Sequence, residues 1–483
     1  MRDFIPVRPL AAAVLAALLA ACTVGPDHVR PDFDAGASFA RGTSIAGAAM
    51  PQPADSGFWQ SFDDPQLTAL VDDTLRANHD LRIALGRLDA ANALQRGAKL
   101  DRLPTITASA GASETTPPGG ADTQRNHDAS IHFGWELDLF GRVRRNLEAG
   151  RADTDALAAD LQALQVSLVA EVATQYIELR GLQQRLAVTR RQADSQADTL
   201  RLVEAGLDAG RGTEFDRTRV RSQFEATRSR LPALEAQVAF AQHRLAVLTG
   251  RTPGSLIARL DAAQPLPVLP PAPDPGTPGD LLRRRPDIAA AEARLHAATA
   301  RIGVATADLF PRFTLGGLLG SQAADAGALF GGGSESRFVA LGIDWSFLDL
   351  GRVRARIAAA DANAAGALAG YEQAVLLALE DTENALVRHG KALVEDAHLA
   401  RAAADSAAAA GLARRRHEAG VGTLLEVLDA ERTDLQAQDA LVQSRTRTLS
   451  SRVGLYRALA GGWPTRMPER HAVAAAGGAH GRE

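Results

Sequence analysis

Three side-chain patterns in this sequence could do chemistry. The only cysteine, Cys22, closes an apolar run, Leu10–Ala21, that follows Arg2 and Arg8, and a thiol there can take a covalent acyl group. Thr213-x-x-Asp216 and Thr423-x-x-Glu426 place an acid three residues after a hydroxyl, the spacing of a capping box, where the acid serves a helix start. Asp429 lies one turn past Glu426 and is not needed for capping, which leaves it open for another role; its counterpart in the other copy of the motif is Arg219. The eleven histidines show no zinc-like spacing with cysteine or carboxylate. Neither a phosphate loop nor a nucleophile elbow occurs, so the expectation is a non-enzyme with no metal and no cofactor beyond a lipid on Cys22.

The elements around these residues narrow the class. Leu19-Ala20-Ala21-Cys22 resembles the bacterial lipobox, in which small residues precede the cut and the cysteine becomes the acylated first residue. The expectation is a signal peptide over 1–21 and a lipid-anchored segment over 22–65. Thr23 follows the cysteine in place of the aspartate that often retains lipoproteins in the inner membrane, which favours the outer membrane.

The 483 residues have few aromatics, and alanine supplies about one residue in five, a balance suited to long packed helices. Formal charge is −4, and −5 once residues 1–21, with two arginines and one aspartate, are removed, which argues against nucleic acid as a partner. One cysteine allows no intrachain disulfide, and three methionines make a poor copper path. No apolar run reaches the roughly 18 residues of a bilayer-spanning helix, which excludes an inner-membrane pump or carrier.

The chain repeats itself. Trp135-Glu136-Leu137-Asp138-Leu139-Phe140-Gly141 aligns with Trp345 to Gly351, including Asp349, at an offset of 210, and the same offset carries Gly210-x-Gly212-Thr213 onto Gly420-x-Gly422-Thr423. An offset of 207 carries Asp80 onto Asp287 and Pro104 onto Pro311. The domains expected are repeat 1 over 66–260, a Pro-rich connector over 261–279, repeat 2 over 280–466 and a low-complexity tail over 467–483.

Each half reads helix, strand, polar loop, strand, very long helix, turn, helix. Period-two alternation marks strands at 129–137 and 338–347, with weaker ones near 105–113 and 312–320. The hairpin tips are expected at Thr115 to His127 and Ser321 to Ser336. Strands of about ten residues, apolar on one face and polar on the other, have the length and pattern of a transmembrane β-strand. Trp135 and Trp345 stand at corresponding strand ends, as interfacial aromatics would. Four strands cannot close a barrel, and an open edge in lipid is forbidden, so other copies must finish it. Two copies would give about eight strands and a filled interior; three would give about twelve and a lumen.

Helices are expected over about 143–209 and 353–419, some 67 residues or roughly 100 Å each, flanked by helices over about 66–102, 214–249, 280–309 and 424–460. Leu157, Leu161, Leu164, Leu168 and Val172 trace a coiled-coil-like stripe. The glycines 210, 212, 420 and 422 permit tight turns, and Arg414, Arg415 and Arg416 suit the end of a helix dipole.

Together these features resemble the outer-membrane factor family, the TolC-like efflux conduits, and most closely its lipid-anchored NodT/OprM-type members. The likeness rests on the lipobox, the two Trp…Asp-Leu…Gly-Arg-Val junctions, Leu282-Arg283-Arg284-Arg285-Pro286-Asp287-Ile288, and Val421 to Ala430. It implies a mainly α fold with a membrane β part: a helical barrel of long helices plus four strands per protomer of a homotrimeric twelve-stranded barrel in the outer membrane. Its implied partners are a periplasmic adaptor, an inner-membrane pump, usually of the resistance-nodulation-division type, and outer-membrane lipid. The turns at 210–216 and 420–429 then form a periplasmic tip, where three inward copies of Asp429, Glu426 or Asp216 would make a cation-binding gate. The competing readings are a lipid-anchored periplasmic adaptor, a lipid-anchored hydrolase and the outer-membrane part of a type I secretion system.

Overall fold

The computed structural model describes residues 23–41, 57–116, 118–119 and 122–459. The expected signal peptide, Cys22 and the tail over 467–483 lie outside the described residues. The elements are α1 (Pro65–Ala77), α2 (His79–Leu100), β1 (Thr105–Thr115), β2 (Gln124–Leu137), α3 (Arg142–Asp208), α4 (Glu214–Arg228), α5 (Leu231–Leu248), α6 (Pro278–Arg284), α7 (Pro286–Ala307), β3 (Arg312–Ala323), β4 (Glu335–Asp344), α8 (Leu350–Glu418) and α9 (Leu424–Ala458). The described residues divide into two compact units: those within 23–33, 86–159 and 287–374 form the first, and those within 34–41, 57–85, 160–286 and 375–459 the second.

The first unit holds an antiparallel sheet in the order β1-β2-β3-β4. Its register aligns Ile106 with Phe133, Phe133 with Gly317, and Gly317 with Val339, so the apolar sets of all four strands share one face. Gly317 is glycine because a Cβ there would collide with the Phe133 ring. Thr107, Ser109, Ser130, His132 and Thr314 fall on the opposite, polar face.

The strands differ from expectation at their ends. The hairpin loops are shorter than the sequence suggests because polar residues still pair: Thr115 lies opposite Gln124, and Arg125 bridges to Glu114 at 2.9 Å. β4 stops at Asp344, leaving Trp345 and Phe347 outside it. Asp344 pairs with Arg312, the first residue of β3, and the preceding Pro311 has no N–H to continue a ladder.

In the second unit, α1 and α5 pack on the middle of α3 around Leu67, Leu70, Tyr176, Ile177, Leu245 and Leu248, all buried. Contrary to the expectation from sequence, one 18-residue stretch of α3 is long and apolar enough to cross a membrane, with mean hydropathy 1.3; 56% of it is buried within the protein. Within the leucine stripe, Leu161, Leu168 and Val172 are buried, and Leu157 and Leu164 half-buried. A second cluster gathers Phe39, Ala272, Leu281, Leu386, Leu455 and Leu459.

Three flanking helices expected as continuous are broken. Asn78 leaves the helical region and caps α2, its Oδ1 accepting from the N–H groups of Asp80 and Leu81 at 2.9 and 3.1 Å. Pro232 stands at the start of α5, and Arg285, extended before Pro286, separates α6 from α7. Two buried arginines hold the Pro-rich connector. Arg180 Nη1 donates to the Ala262 carbonyl at 2.9 Å, and Arg452 Nη1 to that of Pro270 at 2.7 Å.

Candidate functional site

The two tip turns are built alike. α3 ends with Gly210 at φ 72°, the Gly210 N–H donating to Leu207 O and that of Arg211 to Gly206 O, at 2.9 and 2.8 Å. α8 ends with Gly420 at φ 73°, Gly420 N–H donating to His417 O and Val421 N–H to Arg416 O, at 2.9 and 3.0 Å. This Schellman pair needs a left-handed residue at its end. Gly212 and Gly422 have ordinary φ but sit tight against the preceding turn. A Cβ would come 3.1 Å from Leu207 N and 3.0 Å from Arg416 Cβ, respectively.

The next helix then starts on a threonine. Thr213 Oγ1 accepts from Asp216 N–H at 3.1 Å and donates to Asp216 Oδ2 at 2.5 Å, so that carboxylate belongs to the cap. Thr423 Oγ1 accepts from Glu426 N–H at 3.3 Å, while the Glu426 carboxylate is exposed and takes no hydrogen bond or ion pair among the described residues. Asp429 Oδ1 accepts from Arg432 Nη2 at 2.6 Å on the exposed face of α9.

Side-chain ties absent from the sequence reading lock neighbouring helices of the tip. Arg414, expected to suit the helix dipole or to meet an adaptor, donates from Nε to Glu431 Oε1 at 2.9 Å, joining α8 to α9. Burial pushes the Glu431 carboxyl up from its ordinary range, against the pull of Arg414. Arg185 joins α3 to Asp439 of α9 at 2.6 Å, and Gln223 Nε2 on α4 donates to Leu428 O at 3.2 Å. The available signal was an acid at a buried helical spacing, Glu431 standing among Val427, Leu428 and Leu435.

In the first unit, the strand-to-helix junctions share one bond and differ in another. The indole Nε1 of Trp135 donates to Arg102 O, and that of Trp345 to Leu309 O, both at 3.0 Å, so each aromatic anchors the turn that precedes its hairpin. Asp138 caps α3, accepting from the N–H groups of Val143 and Arg144 at 2.9 and 3.0 Å, after Gly141 turns the chain at φ 82°. Asp349, displaced by one residue in its repeat, contributes its carbonyl, and α8 begins already at Leu350, so Gly351 needs no special φ. Thr23 packs on Gly141, and Val24 N–H donates to Phe140 O at 3.2 Å, docking the segment that follows Cys22 at this junction.

The family profile described as "Outer membrane efflux protein" matches residues 70–251 and 277–461. The chain belongs to this outer membrane efflux protein family. It is 33% identical to the outer membrane protein OprJ of Pseudomonas aeruginosa, over 95% of this chain and 96% of that one. It is 31% identical to nodulation protein T of Rhizobium leguminosarum, over 94% and 93%. The solved outer-membrane channel OprN superimposes with TM-score 0.85 at 43% identity, covering 92% of this chain and all of that one. The open-state outer membrane channel MtrE of Neisseria gonorrhoeae gives 0.80 at 27%, covering 91% and 98%. As a mainly helical efflux protein of the outer membrane, the chain does its work by transport.

Proposed function

We propose that three copies join their sheets edge to edge into a twelve-stranded barrel, making the chain the outer-membrane conduit of a tripartite efflux system. The observation that carries this is the sheet. Among the described residues β1 and β4 each have a free edge, and the shared face bears Ile106, Val339, Leu341 and Ile343, each 61–71% exposed. In hydrocarbon an unpaired edge leaves every second backbone group unsatisfied, and that face has no use in water. The polar face, with Ser109, Ser130 and His132 mutually bonded at 2.9–3.1 Å, then lines the lumen.

A lipid on Cys22 fixes the chain to the inner leaflet beside the strand-to-helix junction. The tip turns meet a periplasmic adaptor, and an inner-membrane pump, of resistance-nodulation-division type, supplies the energy; no bond is made or broken in this chain. Three copies of Glu426 and Asp429 form the anionic constriction, with Asp216 committed to its cap. An adaptor has no need of an amphipathic sheet, which disfavours that reading. Purified protein tests the proposal: outer-membrane fractions should yield a detergent-extracted particle of three chains that opens ion-conducting pores in planar bilayers. A single-chain particle that never conducts would overturn it.

A further inference from the structure

We infer that the groove between α2 and the first turns of α3 holds the phosphate of an anionic glycerophospholipid of the inner leaflet, an inference that rests on the sheet spanning a bilayer. The groove is open, has a volume of about 1040 Å³, and lies wholly within the first unit. Lys99 and Arg102 line it from the end of α2 and the turn that follows, and Arg144 and Arg151 from α3, with the amides of Asn92 and Gln95 between them.

Arg144 is paired with Asp138 at 3.1 Å, but the acids lining the groove do not cancel the other three cations. Asp27 and Glu148 both bind Arg145, at 2.7 and 2.9 Å, and Asp155 is the remaining one. Lys99, Arg102 and Arg151 form no ion pair among the described residues. Converging cations with amide donors beside them are the chemistry that recognises a phosphodiester.

Two further observations identify the phosphate as a lipid's. Immediately past Arg102 the chain is apolar and exposed, Leu103 at 57% and Ile106 at 71%, leading onto the apolar face of the sheet. The Trp135 indole holds the Arg102 carbonyl at 3.0 Å, so a headgroup bound below and acyl chains running above would meet at one fixed point. Thr23, the covalent neighbour of Cys22, lines the same groove.

The second repeat is the internal control. Its equivalent positions to Lys99, Arg102 and Arg151 are Thr306, Leu309 and Asp361, and only Arg144 keeps its charge, as Arg354. The helix–strand scaffold therefore does not itself require the three cations.

The test compares the detergent-extracted wild-type protein with the Lys99→Ser/Arg102→Ser/Arg151→Ser variant by native mass spectrometry after exposure to phosphatidylglycerol or phosphatidylethanolamine. A control variant, Arg87→Ser/Arg96→Ser/Arg191→Ser, removes equal charge elsewhere. The wild type and the control should retain phosphatidylglycerol preferentially, and the groove variant should bind it roughly 100-fold more weakly, as loss of three surface cations implies. Equal retention by all three overturns the inference, as does full displacement of the lipid by millimolar inorganic phosphate, which would make free phosphate the occupant. Bilayer conductance of the same samples is read separately. If the wild type fails to conduct, the conduit reading falls; if all three conduct but retain lipid equally, only the lipid site falls.

Discussion

Arg414 Nε stands 2.9 Å from Oε1 of Glu431, whose side chain is 1% exposed and whose Oε2 has no hydrogen-bond partner among the described residues. The two members of this pair are not equivalent, because the arginine is 46% exposed and the glutamate is not. Removing Arg414 strands a buried carboxylate, whereas neutralising Glu431 releases an arginine into water. Arg414→Ala should destabilise the α8–α9 contact by about 1–3 kcal/mol, and Glu431→Gln by much less. Hydrogen exchange of the 424–435 amides reads the difference; equal acceleration in both variants would mean that attraction, not burial of the acid, governs the pair.

His389 gives a pH dependence with a definite sign. Its Nε2 accepts from Arg452 Nε and Nη2 at 3.1 and 2.6 Å, and its Nδ1 lies 2.8 Å from Ser451 Oγ, so the ring is neutral with its proton on Nδ1. Burial, and then the Arg452 charge, push its pKa down to about 4 from 6.5. The unfolded chain therefore binds more protons between these values, and stability is lost as pH falls from 6.5 towards 4, by up to roughly 3 kcal/mol per chain. His389→Gln keeps an acceptor for Arg452, and its Tm should fall less over that range than the wild type's. Parallel curves would show that His389 contributes nothing to acid sensitivity.

Much of the fold was legible because periodicity carries it. The two helices of more than sixty residues, the four strands and the repeat follow from alternation, stripes and matched junctions. Asn78 was not legible as a break: its Oδ1 caps α2 locally, but its Nδ2 is held by the Leu248 carbonyl, a tertiary bond that no local pattern reveals. Trp345 alternates in phase with β4, yet the strand ends where its partner β3 begins, a tertiary fact. At the tip, capping was visible in Thr213 and Thr423, while the Arg414–Glu431 tie depends on which faces of α8 and α9 meet.

Asp429 and Glu426 separate the gate from the cap. On the proposed reading, Asp429→Ala should raise single-channel conductance in lipid or abolish block by divalent cations, since three carboxylates would leave the constriction together. Thr423→Ala removes only the cap and should cost about 1 kcal/mol of local helix stability without changing cation block. Conductance and block both unchanged in Asp429→Ala would remove that residue from the gate and leave Glu426, whose carboxylate has no partner among the described residues, as the remaining acid.

Gly25 tests how the segment after Cys22 is held. It sits at φ 90°, and a Cβ would collide with the backbone of Gly303 on α7. Gly25→Ala should therefore lift the segment from its seat, breaking the Val24 N–H to Phe140 O bond of 3.2 Å. At about 1–3 kcal/mol for the forced backbone, amide exchange at residue 24 should quicken tenfold or more. An unchanged exchange rate would mean that Arg145, which donates to Val24 O and Gly25 O, holds the segment alone.

The edges of the sheet offer the most direct measurement. Within one chain β1 and β4 are three strand spacings apart, about 14 Å, too far for a disulfide. Ala108→Cys combined in turn with Arg337→Cys, Val339→Cys or Leu341→Cys, all on the apolar face, can therefore crosslink only between copies. Oxidation in isolated outer membranes should give, for at least one pair, a ladder on a non-reducing gel that ends at three chains of about 50.8 kDa before processing and collapses on reduction. A ladder ending at two, one running on without limit, or monomers from every pair would contradict closure of the barrel by three copies.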